Sequence, residues 1–304
     1  MSKKRAVIID TDPGIDDAVA LAIALNHEEL DVKLLTTVAG NVSVAKTTDN
    51  TLKLLSFFEK EIPVAEGSAH PLINEFEDSA DIHGESGMDG YDFPKPTRQI
   101  ETVHAVEAMR RTILESKEPI TLVPIAALTN IALLFAMYPE VKANIEEIVL
   151  MGGTMSRGNT NTSAEFNIYV DPHAAKMVFQ SGVPIVMVGT DVTSVAVLTN
   201  QETEKIKTLG KVGEMFYAMF KHYRGGSLKT GLKMHDVCAI AYLVAPQLFE
   251  TQATYVEIAT EGPAAGATVA DLKMKYHDEK NATVCVEVDV DGFRNWVINE
   301  LSKI

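Results

Sequence analysis

The chain has 304 residues, 46% of them apolar and 23% charged, and carries a formal charge of −15 at pH 7. Mean hydropathy near zero is the balance of an ordinary globular protein, neither disordered nor membranous, and the length suffices for a sizeable core. The acidic excess excludes a polyanionic partner such as DNA, which needs clustered Lys and Arg, and leaves small ligands and cations open.

The N-terminal "MSKKRAVIID" runs straight into an apolar strand at 6–10, too short for a signal h-region, which predicts a cytoplasmic protein. A helix over 15–26, a strand "VKLLTTVA" at 32–39 and a helix over 43–58 follow. Residues 66–99 are broken by Gly and Pro and show little periodicity, so they predict a long surface loop, of the kind that is usually functional or disordered. The rhythm resumes with strands at 120–125, 145–153 and 184–189 among helices over 102–116, 127–137 and 171–181. Helical patterns at 200–223 and 235–245, strand-like "TYVEIAT" and "ATVCVEVDV" and a closing helix over 291–303 complete the chain. Short β-branched runs alternating with longer amphipathic ones predict an α/β fold, a mostly parallel sheet covered by helices on both faces. No Pro/Gly/Ser-rich linker or fixed repeat interrupts it, so residues 1–304 are expected to form one domain. Cys238 and Cys285 sit in apolar runs without C-x-x-C spacing and read as reduced core residues.

Ligands of open parallel sheets bind beyond the carboxyl ends of the strands. On that rim the sequence places Asp10 and Asp12 after the first strand, Asn41 after the second, Ile125 after "TLVPI", Gly152 and Gly153 after "IVLM", and Asp191 after "IVMVG". Asp16 and Asp17 are accounted for by the helix start that follows, whose dipole favours acids. Asp10 and Asp12 are not, because carboxylates this close repel unless one is protonated or a cation binds. Pro13-Gly14 forces a tight turn that folds the second pair back beside the first. With oxygen donors alone, and no paired His or Cys nearby, the cation should be hard. The absence of a phosphate-binding fingerprint favours Ca²⁺ over Mg²⁺.

Two further constellations stand out. In "GNTNTSAEFNIYVDPHAA" (158–175), Asp171-Pro172 is an N-cap with Pro at the first helical position, whereas Asn159, Glu165 and Asn167 offer the donors and acceptors that a sugar's hydroxyls require. In "KMHDVCAIAYLV", Asp236 either caps the following helix beside a half-exposed His235, or adds a carboxylate to the cation while His235 serves as a general acid.

Taken together, "DTDPGIDDA", "HGESGMDG", "VPIAALTNIA", "EEIVLMGG", "AEFNIYVDPHAA" and "HDVCAIAY" resemble, in order and along essentially the whole chain, the inosine-uridine preferring nucleoside hydrolases. The resemblance implies a single α/β domain with a Rossmann-like central sheet that hydrolyses the N-glycosidic bond of ribonucleosides, releasing ribose and free base, with one Ca²⁺ in the pocket. By position, it implies Asp12, Asp17, Asp236 and the backbone carbonyl of Ile125 as Ca²⁺ ligands. Ile125 departs from the family's more frequent Thr, but a carbonyl ligand does not depend on its side chain. Asp16 and Asn41 would face the ribose hydroxyls near the metal, Asn159, Glu165 and Asn167 the rest of the sugar, and Asp10 would orient its neighbours. Asp12 would also be the general base for a Ca²⁺-bound water, His235 would protonate the leaving base, and His83 would approach the base or the open end of the sugar. Loops 66–99 and 222–233 would close over the substrate, with Tyr223 placed to stack on the base. The resemblance further implies a homodimer or homotetramer in nucleoside catabolism.

Two other readings start from the same acids. A haloacid dehalogenase-like phosphohydrolase also opens on a strand ending in D-x-D and binds Mg²⁺, but its later Ser/Thr, Lys and acid pair have no clear counterpart here. A non-enzymatic Ca²⁺-dependent sugar-binding protein would keep the acids and the 158–167 loop without needing His235.

Overall fold

Strand β1 (Arg5–Thr11) is apolar on both sides, as a strand enclosed between two helical layers must be. Val7 and Ile9 enter the core on one face of the sheet and Ala6 and Ile8 the core on the other. The computed structural model describes residues 4–96 and 98–304, so Met1–Lys3 and one position of the 66–99 loop, Thr97, lie outside it.

On one side of β1 lie β2 (Leu30–Thr37) and β3 (Val64–Glu66), and on the other β4 (Ile120–Pro124), β5 (Ile145–Met151) and β6 (Ile185–Val188), all parallel. Strand Ala282–Val288 continues parallel beyond β6, and Phe249–Thr254 closes that edge antiparallel. The order β3-β2-β1-β4-β5-β6 reverses direction between β1 and β4, which opens a crevice above their carboxyl ends. This is the α/β, mostly parallel sheet that the hydrophobic rhythm predicts.

Helix α1 (Ile15–Asn26), helix α2 (Val44–Phe57) and the helices His235–Val244 and Val290–Leu301 contribute to one core, and helices Ala105–Glu115, Thr129–Met137 and Pro172–Phe179 to the other. Every residue of α1 from Ile15 to Ala24 is buried, so it is a central helix rather than an amphipathic surface one. Its Ala-rich "AVALAIAL" suits that place: Ala keeps helix propensity high, and small side chains let neighbours approach on all sides. Fully burying one Leu or Ile stabilises by about 1.5–3 kcal/mol, and α1 alone buries Ile15, Leu21 and Ile23.

The structure departs from the sequence reading in several places. The pattern at 200–223 is two helices, Asn200–Lys207 and Gly210–Phe220, and Gly210 takes the left-handed φ of +62° at the break. The run at 171–181 narrows to Pro172–Phe179 behind a separate short helix, Phe166–Val170, with Asp171 as the N-cap between them. "TYVEIAT" contributes Val256–Ile258 to a small separate sheet, and both edges of the main sheet, Phe249–Thr254 and β3, are unforeseen. Cys238 and Cys285 are buried and free, as expected. Among the described residues, no helix is long and apolar enough to cross a membrane.

Candidate active site

From Thr11 the chain turns through Pro13-Gly14 into α1, and the turn folds the second acid pair back toward the first. Gly14 is needed there: a Cβ would stand 2.4 Å from His83 Nδ1 and 2.9 Å from Asn41 Nδ2. Asp17, in the first turn of α1, accepts hydrogen bonds from the Thr11 hydroxyl (2.7 Å), the Gly14 amide (2.9 Å) and Asn41 Nδ2 (3.2 Å). Asp12 Oδ2 accepts from the Asn41 amide at 2.6 Å, and its buried Oδ1 has no partner among the described residues. Asp16 Oδ2 accepts from the His235 amide at 3.2 Å, which ties α1 to the start of the His235–Val244 helix.

Asp236 lies in the first turn of that helix, 5% exposed, and does not cap it; Met234 holds the cap position without a side-chain bond. Its carboxylate joins the acid cluster instead. Asp16, Asp17 and Asp236 each bring an oxygen within 4.8 Å of the others. Asp12, expected as a ligand, stands outside that tightest trio but close enough that its charge raises the Asp236 pKa.

Burial is the main reason these acids hold their protons, and mutual repulsion adds to it. Asp10 and Asp16 are pushed up to about 7, Asp12 and Asp236 well above the carboxylate range, and Asp17 is raised as well. Asp17 and Asp236 hydrogen-bond to each other, so without a cation the pair shares a proton. Converging buried carboxylates with an unpartnered Asp12 Oδ1 fit a hard cation, which would replace those protons. Asp10 is buried beneath, where its Oδ1 accepts from the Thr36 hydroxyl (2.6 Å) and Asn130 Nδ2 (2.9 Å), the supporting place expected of it. Asn130 was not singled out in the sequence. It also donates to the Thr37 carbonyl and accepts from Ser68, joining β1, β2 and the loop after β3.

The acids open on a cavity of about 460 Å³ above the β1/β4 switch, lined also by Asn41, Ile125, Asn159, Glu165 and Asn167. Glu165 caps the Phe166–Val170 helix and accepts from the amides of Gly153 (2.9 Å), Asn167 (2.9 Å) and Ile168 (3.2 Å); burial still pushes it up to about 7. Asn167 Nδ2 donates to the Met151 carbonyl at 3.1 Å. Asn159 is exposed at the cavity edge, and its Oδ1 accepts from the Phe166 amide. These backbone anchors fix all three side chains where a polyol could meet them.

His83, expected in a loop, ends a single helical turn (Ala80–His83) and is buried. Its Nδ1 accepts from the Ile15 amide at 3.1 Å, and burial lowers its pKa to about 4. Tyr223 is 4% exposed, its ring 5.3 Å from that of His83 and its hydroxyl bonded to Asp16, so it forms a fixed part of the cavity surface. His235 lines the cavity, bonds through Nδ1 to the Thr193 hydroxyl at 2.6 Å, and is lowered by burial to about 3. Residues of loops 66–99 and 222–233 do line the cavity, among them Glu77, Asp78, Asp81 and Arg224, whose charges carried no spacing signal.

The match to known proteins is chain-wide. The profile of the inosine-uridine preferring nucleoside hydrolases covers residues 7–295. The chain belongs to that nucleoside hydrolase family. The nucleoside hydrolase is 52% identical over 298 residues to the non-specific ribonucleoside hydrolase RihC of Salmonella schwarzengrund (strain CVM19633), covering 98% of this chain and 97% of that one. The purine-preferring ribonucleoside hydrolase from Gardnerella vaginalis superposes with a TM-score of 0.92 at 32% identity, covering 98% of both chains. The plant nucleoside hydrolase PpNRh1 gives 0.91 at 31% identity, covering 98% of this chain and 99% of that one. As a nucleoside hydrolase the protein is an enzyme, an N-glycosyl hydrolase, which sets aside the phosphohydrolase and binding-protein readings.

Proposed function

We propose that the enzyme hydrolyses both purine and pyrimidine ribonucleosides to ribose and free base, with a breadth like that named for its RihC relative. The observation that carries this is the convergence of Asp16, Asp17 and Asp236, with the unpartnered Asp12 Oδ1, beside a cavity edged by hydroxyl-binding side chains. Asp12, Asp17, Asp236 and the Ile125 carbonyl would hold a Ca²⁺, which when bound supplies Lewis acidity beside the ribose diol.

The residues divide the remaining work. Asn41 and Asp16 meet the hydroxyls beside the metal, and Asn159, Glu165 and Asn167 hold the rest of the sugar. The Asn41 amide fixes Asp12 Oδ2, so Oδ1 is the oxygen free to take a proton from the attacking water. As water oxygen bonds to C1′, the electron pair of the C1′–N bond passes to the base. The sugar is cation-like in between, and the carboxylates around it stabilise that charge. His235 faces the leaving base and donates a hydrogen bond to the nitrogen where negative charge builds; burial keeps the ring neutral, so the departing base takes its proton from water. His83 presents a second imidazole to the same cavity.

Inosine or uridine incubated with the protein and Ca²⁺, without phosphate, should yield free base and reducing sugar at equal rates. A strict requirement for phosphate would show a phosphorylase and overturn the reading.

A further inference from the structure

Thr193 was singled out by nothing in the sequence, yet it is fully buried and its hydroxyl lies 2.6 Å from His235 Nδ1. Two segments distant in sequence are stitched together to make that contact. Val197 pairs with Lys233, Leu198 pairs with Leu232, and the Met234 amide donates to the Ala196 carbonyl at 3.2 Å. The Asp16 carboxylate holds the His235 amide from the other side. Thr193 and His235 are therefore fixed relative to one another by backbone, and their side-chain bond is a built contact.

Its direction follows from counting hydrogens. A hydroxyl has one to donate, and among the described residues His235 Nδ1 is the only hydrogen-bond partner of the Thr193 hydroxyl. Were Nδ1 the donor, the hydroxyl hydrogen would be left buried and unsatisfied, at a cost of about 1–3 kcal/mol. With Thr193 donating, Nδ1 is the acceptor and the ring hydrogen resides on Nε2, which no described side chain or backbone group takes up, on a residue that lines the cavity. His83 follows the same pattern with no ambiguity, since the Ile15 amide on its Nδ1 can only donate.

We propose that Thr193 is a positioning residue that holds His235 in the Nε2–H tautomer, so that the imidazole meets the departing base as a donor. A carboxylate behind Nδ1, the arrangement of the serine hydrolase triads, makes Nε2 a proton acceptor; a hydroxyl donor behind Nδ1 does the reverse. As the ribosyl C–N bond breaks and its electron pair moves to the base nitrogen, that nitrogen accepts the Nε2 hydrogen bond. This deepens the proposed function and rests on its assignment of His235 to the leaving base.

The test compares Thr193→Val, Thr193→Ser and His235→Ala on uridine, on inosine and on 4-nitrophenyl riboside, whose leaving group needs little help. Thr193→Val should lower kcat on the nucleosides by about 10–100-fold, up to the loss expected when one hydrogen-bond donor to developing negative charge is weakened, with KM nearly unchanged and a far smaller loss on the nitrophenyl riboside. Thr193→Ser should restore kcat to within a few-fold, and the double variant Thr193→Val/His235→Ala should lose no more than His235→Ala alone. In ¹⁵N spectra, Nδ1 of His235 should read as unprotonated in the wild-type and Ser proteins and shift toward a tautomer mixture in the Val protein. Wild-type kcat in Thr193→Val beside a defective His235→Ala would overturn the proposal alone, as would equal losses on all three substrates or failure of Ser to rescue. Full nucleoside activity in His235→Ala would overturn the proposal together with the assignment of His235.

Discussion

Asp12 shows how one carboxylate can be given two different oxygens. The Asn41 amide occupies Oδ2 at 2.6 Å, while Oδ1 is buried and unpartnered. An isolated buried polar atom costs free energy, and that cost is recovered only when a cation or a proton-bearing water arrives. Asp12→Asn can keep the bond from the Asn41 amide, but it then puts an NH₂ group, which accepts no proton, where Oδ1 was. Turnover of inosine should fall by about 10²–10⁴-fold, the usual contribution of a general base. The thermal midpoint should hold or rise, since a member of a repelling cluster has lost its charge. Near-normal turnover in this variant refutes the role as base.

At the scale of the elements, the loops leaving β1 and β2 bring the site together by close approach. In "VAGN", the loop after β2, a Cβ on Gly40 would lie 2.0 Å from Asp12 Oδ2 and 2.8 Å from its Cγ. Gly40→Ala must displace a carboxylate that the neighbouring Asn41 amide is holding. A misplacement of about 1 Å in catalytic geometry costs on the order of 10²-fold, so a loss of that size in kcat is expected, with far-ultraviolet dichroism unchanged. Activity within twofold of wild type would show that Asp12 tolerates movement and that its position is not what limits the rate. The same elements show what was legible in the sequence. Strands enclosed on both faces are continuous apolar runs, so β1, β4, β5 and β6 could be read directly, and with them the rim where Asp10, Asp12, Asn41 and Ile125 collect. "FETQAT" escaped notice because an antiparallel edge strand is half solvated and its apolar positions are few. Asn130 and Thr193 escaped because each stands among ordinary polar residues that lead into an apolar stretch, "LTNIALLF" and "DVTSVAVL". Their meaning lies in bonds to Asp10 and His235, 120 and 42 residues away. A polar side chain at the start of an apolar run was the available signal, and it identifies the position without naming the partner.

Over the whole molecule, the buried acids make stability depend on pH and on the cation together. Asp10, Asp16 and Glu165 stand near 7 in the folded protein against ordinary values of 3.8, 3.8 and 4.5. A raised carboxylate pKa means that the folded state keeps protons which the unfolded chain has released. Its contribution is complete below the ordinary value and is lost as pH rises through the folded one. His83 and His235 act oppositely, because burial lowers them to about 4 and about 3 from 6.5, so stability gains with pH until the unfolded imidazoles are neutral. Above about pH 6.5 the histidines no longer contribute, and only the acids remain, with Asp12 and Asp236 also raised by burial and by their neighbours' charge. Protein stripped of metal should therefore lose thermal stability between about pH 6.5 and 8. Saturating Ca²⁺ should remove the part of that slope carried by Asp12, Asp17 and Asp236, because the cation takes the place of their protons, and at one hundred times its Kd should add about 2.7 kcal/mol. Mg²⁺, which is reluctant to give up its waters, should restore less in a cage built from protein oxygens. Thermal melts of chelated protein at half-unit pH steps, with and without each cation, decide it. A melting temperature that stays flat across this range without metal would show that the acid cluster is not strained by its own charge, and a slope that Ca²⁺ leaves unchanged would show that the cation binds elsewhere.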